Sequence, residues 1–147
     1  MEPWICHEAG HVITALHLGF RVDGIEIFQG KPRTMCDLYA AERINEERYV
    51  FLASGIAGET CDFRNYDRAA CGDDQARISE LGGGSIETYL PAASEIINAH
   101  KGSFNELKKK ITIRILERRM EGMIVGSGNT FKVLPPAEIE RIWNTFR

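Results

Sequence analysis

Two histidines lie four residues apart near the start of the chain, in the run His7-Glu8-Ala9-Gly10-His11. Pro3 favours a helix start and Gly19 a helix end, so this run is predicted to lie on a helix. At about 100° per residue, both imidazoles come to one helix face and can reach the same metal ion. Glu8 then lies beside that ion, where a carboxylate can act as a general base.

The glycine inside this run is unusual for a helix interior. Glycine at such a position costs about 1 kcal/mol relative to alanine. Gly10 therefore predicts that another backbone approaches the helix closely at this point. The alternative interpretation, a surface helix with two ordinary histidines, leaves Gly10 without a reason.

A catalytic zinc site needs a third protein ligand and an open position for water. His17 has the spacing of the pattern H-E-x-x-H-x-x-G-x-x-H, but Thr14 replaces its glycine, so a continuing helix turns His17 away. Cys71 could ligate as a thiolate, as in deformylase-like enzymes, but the neighbouring motifs of those enzymes are missing. Glu59 and Asp74 are the carboxylate candidates.

Asp74 is the preferred third ligand. On a helix predicted over 73–81, it shares one face with Ile78 and Leu81. A carboxylate that heads an apolar stripe points inward, where it needs a compensating charge. Asp73 lies on a polar face and is expected to cap the helix.

Glu59 lies in line with Leu52 and Ile56 on a helix predicted over 44–62, and we expect its carboxylate to be buried. Two interpretations are open for it. It either accepts a hydrogen bond that orients a histidine ligand, or it forms a buried ion pair.

The remaining pattern predicts a mostly helical α+β fold with a small hairpin or sheet. Val22 to Phe28 is typical of a strand, either packed in the core or at an edge that captures an extended peptide, and 34–39 is its weaker partner. The lysine run at 108–110 is expected on a solvated helix face. Further helices are predicted over 91–99, 103–120 and 137–143. The length of 147 residues indicates one domain over 1–147.

Composition excludes several function classes. Lys and Arg number 18 against 21 Asp and Glu, so no basic field favours nucleic acid. The run Gly82-Gly83-Gly84-Ser85 lacks the lysine of a nucleotide phosphate-binding loop, so no ATP site is expected.

Four cysteines form no C-x-x-C pair, which indicates free thiols in a reducing compartment. The longest uncharged apolar run, 49–58, is about half the length of a membrane span. No signal peptide is recognisable. We therefore expect a soluble cytoplasmic protein.

Three segments together resemble the peptidase domain of the FtsH-type AAA proteases: His7 to His11, then Ser54-Gly55-Ile56-Ala57-Gly58-Glu59, then Gly72-Asp73-Asp74-Gln75-Ala76. The resemblance implies a helical zincin-type fold and one zinc ion. It makes His7, His11 and Asp74 the ligands and Glu8 the general base. The chain departs from the family in lacking the arginine of its GRAAE-like segment and the ATPase module.

The expected activity is hydrolysis of peptide bonds in peptides or unfolded protein segments, independent of ATP, with Glu8 taking a proton from zinc-bound water. Two alternatives stay open. One is a catalytically quiet zinc-stabilised module that binds or regulates a peptide partner, although a closed structural site has no use for Glu8. The other is a different zinc amidohydrolase. No nucleic-acid partner and no membrane span are expected, and a homo-oligomer stays open.

Overall fold

Helices dominate the fold. The computed structural model describes residues 2–40, 43–62, 72–123, 125–126 and 128–147. The helices are α1 Pro3–His17, α2 Asn45–Asp62, α3 Gly72–Glu80, α4 Leu90–Ala99, α5 Lys101–Met120 and α6 Pro136–Phe146. The strands are β1 Val22–Phe28, β2 Lys31–Cys36 and β3 Phe131–Leu134, and a short 3₁₀ helix, Ile86–Tyr89, precedes α4. These elements confirm the predicted α+β class. None of the described helices has both the length and the apolarity needed to cross a membrane.

The three strands form one antiparallel sheet in the order β2-β1-β3. Gln29 and Gly30 join β1 to β2 with φ values of 49° and 83°, the positive pair typical of a tight two-residue hairpin turn. The hairpin therefore closes at once, and β2 begins at Lys31 rather than at the predicted residue 34. Pro32 is tolerated because β2 is an edge strand.

The position of β1 corrects one expectation. Val22–Phe28 is the central strand of the sheet, so the interpretation of this segment as a peptide-capturing edge is wrong. Its other neighbour, β3, was not predicted. The exposed edge belongs to β2, which packs along α1.

The core fills the space between α1, α2, the sheet and the long helix α5. On α5 the predicted stripe of Leu107, Ile111 and Ile115 is buried. Lys108 is buried as well, with its ammonium 4.5 Å from the ring centre of Phe104, so the solvated face predicted for 108–110 is wrong at this residue. The buried apolar side chains of the described residues form one contiguous cluster. A single domain over 1–147 stays a prediction.

Candidate metal centre

The crossing of α1 and α2 is closer than ordinary side chains allow. A Cβ atom on Gly10 would collide with the backbone oxygen of Ser54 and lie 3.2 Å from the Cα atom of Gly58. A Cβ atom on Gly58 would collide with the backbone oxygen of Cys6. Because these are backbone atoms, they cannot move aside at low cost. The close approach predicted from Gly10 is confirmed.

A third glycine, Gly55, lies directly against the two imidazoles. A Cβ atom there would lie 2.7 Å from His11 Nε2 and would collide with the ring of His7. The bare backbone of α2 at Gly55 therefore provides the space in which both histidine rings lie.

The Nδ1 atoms of both histidines are held from α2. His11 Nδ1 donates to the carbonyl oxygen of Phe51 at 2.9 Å and lies 3.2 Å from Ser54 Oγ. His7 Nδ1 donates to Glu59 Oε2 at 3.0 Å, and Glu59 is only 1% exposed. Glu59 thus occupies the orienting position that was one of its two interpretations. With its proton on Nδ1, a neutral imidazole presents a lone pair at Nε2.

Asp74 reaches these two lone pairs from α3. The Nε2 atoms of His7 and His11 are 3.1 Å apart, and Asp74 Oδ2 lies 3.1 Å from the first and 3.3 Å from the second. Ligand atoms bound tetrahedrally to zinc at about 2.0–2.1 Å are separated by about 3.3 Å. The three donor atoms therefore fit the spacing of ligands on one zinc ion.

The electrostatics of this cluster call for a positive charge. Burial lowers the pKa of His7, but the carboxylates of Asp74 and Glu59 outweigh it and raise this pKa to about 10. Burial would raise the pKa of Asp74, but His11 and His7 hold it well below its usual range. Three converging lone pairs in a buried site are stabilised by a cation, either a proton or a metal ion.

Glu8 completes the cluster without joining the three closest donors. Its side chain is buried, and His7, Glu8 and His11 each present a possible ligand atom within 4.8 Å of the other two. This buried group could hold a metal ion. The hydroxyl of Thr34 donates to Glu8 Oε2 at 2.9 Å. Sequence reasoning did not single out Thr34, because its only connection to Glu8 is spatial.

The other candidates lie elsewhere. His17 is exposed, and its Nδ1 atom is 2.9 Å from Nε2 of His100, so His100 is not isolated as the sequence suggested. Asp73 is exposed and lies inside the first turn of α3, because the helix begins at Gly72. The capping role expected for Asp73 is therefore wrong. Cys71 lies outside the described residues.

A cleft of about 350 Å³ opens onto the cluster. Its walls come from α1, α2, α3 and the edge strand β2. Trp4, Pro32 and Phe51 give it apolar surface, while Lys31 and Arg77 contribute cationic side chains. The buried cluster is thus accessible to a ligand of modest cross-section.

Comparisons with protein-family models, with curated proteins and with solved structures find no match for this chain. What the centre does is therefore inferred from its geometry and donor chemistry.

Proposed function

We propose that this chain is a zinc-dependent metallopeptidase resembling the FtsH-type peptidase domain, in which His7, His11 and Asp74 hold one zinc ion and Glu8 is the general base. The observation that carries the proposal is the convergence of the three donor atoms at 3.1 to 3.3 Å beside a fourth buried carboxylate. Two imidazoles and one carboxylate are a donor set of catalytic zinc sites, and three protein donors leave a position open.

When bound by such donors, zinc acidifies a water molecule and polarises the scissile carbonyl group. Glu8 follows a ligand directly in sequence, and its carboxylate lies beside the histidines. It accepts the proton of the attacking water and passes it to the leaving amine, so it ends each cycle ionised. The contacts from Glu59 and Phe51 keep the imidazoles in one orientation throughout.

The walls of the cleft favour an extended peptide as substrate. An edge strand can receive a peptide as an additional strand through backbone hydrogen bonds, and β2 is an edge strand in this wall. The apolar surface of Trp4 and Phe51 suits substrate side chains. A cleft of about 350 Å³ admits a peptide or an unfolded segment and excludes a folded domain.

The proposal includes a cytoplasmic location. Its support is that no disulfide links Cys6, Cys36 and Cys61 to one another.

The test compares the zinc-loaded protein with the Glu8→Gln variant on a library of unstructured fluorogenic peptides. Glutamine keeps the shape of the side chain but cannot accept the proton. We expect cleavage to fall by at least about 100-fold while metal analysis still finds one zinc ion per chain. Wild-type protein that binds zinc and cleaves nothing would instead support the catalytically quiet binding module.

A further inference from the structure

The hydroxyl of Thr34 bonds the carboxylate to which the proposed function gives the proton-transfer role. Thr34 Oγ1 lies 2.9 Å from Glu8 Oε2 and 3.4 Å from the backbone oxygen of Glu8. A hydroxyl carries one proton, and the shorter distance directs it to the carboxylate. Thr34 is partly buried at the wall of the cleft, so this bond is shielded from much of the solvent.

This bond makes the two oxygens of Glu8 inequivalent. Among the residues that the structure describes, no other hydrogen bond to the Glu8 carboxylate is present. Oε2 is therefore anchored to β2, whereas Oε1 is left without a protein donor. A carboxylate fixed through one oxygen keeps the other in a single orientation, as a base needs if it is to meet its proton in reactive geometry.

The position of Thr34 is itself fixed by the hairpin. Thr34 pairs across the sheet with Ile25, which is completely buried. Residues directly opposite in a sheet share one face, so Thr34 is held on the face that packs toward the core and α1. A register slip of one residue would turn this side chain to the opposite face, and the tight turn at Gln29 and Gly30 opposes such a slip.

We propose that Thr34 is a positioning residue that holds the carboxylate of Glu8 through Oε2 and leaves Oε1 to exchange the proton with water and leaving amine. This inference rests on the proposed function, since it assigns a geometry to the base that the function requires. Threonine suits the task because its branched side chain has few χ1 rotamers, so the hydroxyl keeps its direction.

The test uses Thr34→Val, which keeps the shape and removes the hydroxyl, and Thr34→Ser, which keeps the hydroxyl. We expect Thr34→Val to lower kcat by roughly 10-fold with KM and zinc content within about twofold of wild type. Thr34→Ser should retain kcat within about threefold of wild type. Thr112→Val is the matched control, because Thr112 is equally half-buried and donates at 2.8 Å to the backbone oxygen of Lys108, away from the cleft.

Two further measurements separate positioning from simple stability. Crystal structures of the metal-free proteins should show one Glu8 rotamer in wild type and Thr34→Ser but several in Thr34→Val. In the Glu8→Gln background, adding Thr34→Val should cost almost nothing, because the two side chains act as one unit.

Three outcomes would overturn the role of Thr34: an unchanged kcat in Thr34→Val, a rise in KM alone, or an equal loss in Thr34→Ser. A single Glu8 rotamer in Thr34→Val would do the same without any activity measurement. Failure of the proposed function has a different signature, because Glu8→Gln would then cleave as wild type does, or wild type would not cleave at all.

Discussion

A methyl group on Gly55 would lie 2.7 Å from His11 Nε2, well inside the contact distance of the two atoms. The same methyl group would overlap the ring of His7. The two imidazoles therefore depend on a residue of a different helix that contributes no side chain. This makes Gly55 as necessary to the metal centre as the histidines themselves.

Gly55→Ala should lose zinc while α2 stays helical. Alanine improves helix propensity by up to about 1 kcal/mol, but the methyl group must displace both imidazoles, and such overpacking typically costs 1–3 kcal/mol. We expect zinc stoichiometry near zero with an unchanged circular dichroism spectrum. Gly72→Ala is the control, because nothing lies within 4 Å of a Cβ atom there and its zinc content should match wild type. Full zinc occupancy in Gly55→Ala would contradict the assigned geometry.

The sequence was most informative where a local pattern has a single structural meaning. The spacing of His7 and His11 indicated one helix face, and Gly10 indicated the close helix crossing. For Asp74, the apolar stripe through Ile78 predicted burial, and the side chain is 8% exposed.

Contacts that depend on tertiary placement could not be predicted. Phe51 holds His11 through a backbone carbonyl group, which leaves no side-chain signal. Thr34 reaches Glu8 only because the hairpin turns at Gln29 and Gly30. The strand β3 is four residues long, too short to show an alternating pattern, and becomes a strand by pairing with β1.

Removing the acceptor of His7 should weaken zinc binding without removing a ligand. Glu59→Ala leaves the buried Nδ1–H of His7 without its 3.0 Å partner and frees the ring to rotate. We expect zinc affinity to fall about 10- to 100-fold, as for other residues that orient metal ligands. Ser54→Ala is the matched control, because His11 keeps the carbonyl oxygen of Phe51 and its affinity should change little. Competition titration with a chromogenic chelator measures both, and equal losses would argue against a specific role for Glu59.

Peptide hydrolysis by this chain should not respond to ATP. The run at 82–85 lacks a phosphate-binding lysine, and the cleft admits only a chain without folded structure. We expect an unstructured protein such as casein to be degraded at the same rate with and without ATP, and a stably folded domain to stay intact. Gel electrophoresis and mass spectrometry of the products measure this. Cleavage of the folded domain that starts on addition of ATP would contradict the prediction.

The third ligand is decided by zinc stoichiometry in three single variants. Asp74→Ala removes the buried oxygen that lies 3.1 Å from His7 Nε2 and should abolish both zinc retention and activity. Asp73→Ala should keep zinc and lose less than about 1 kcal/mol of stability, because its carboxylate is exposed in the first turn of α3, where it interacts only with the helix dipole. His17→Ala should also keep zinc, because its ring contacts His100. Zinc loss in His17→Ala alone would move the third ligand to the end of α1, and zinc loss in Asp73→Ala alone would rotate α3 by one residue.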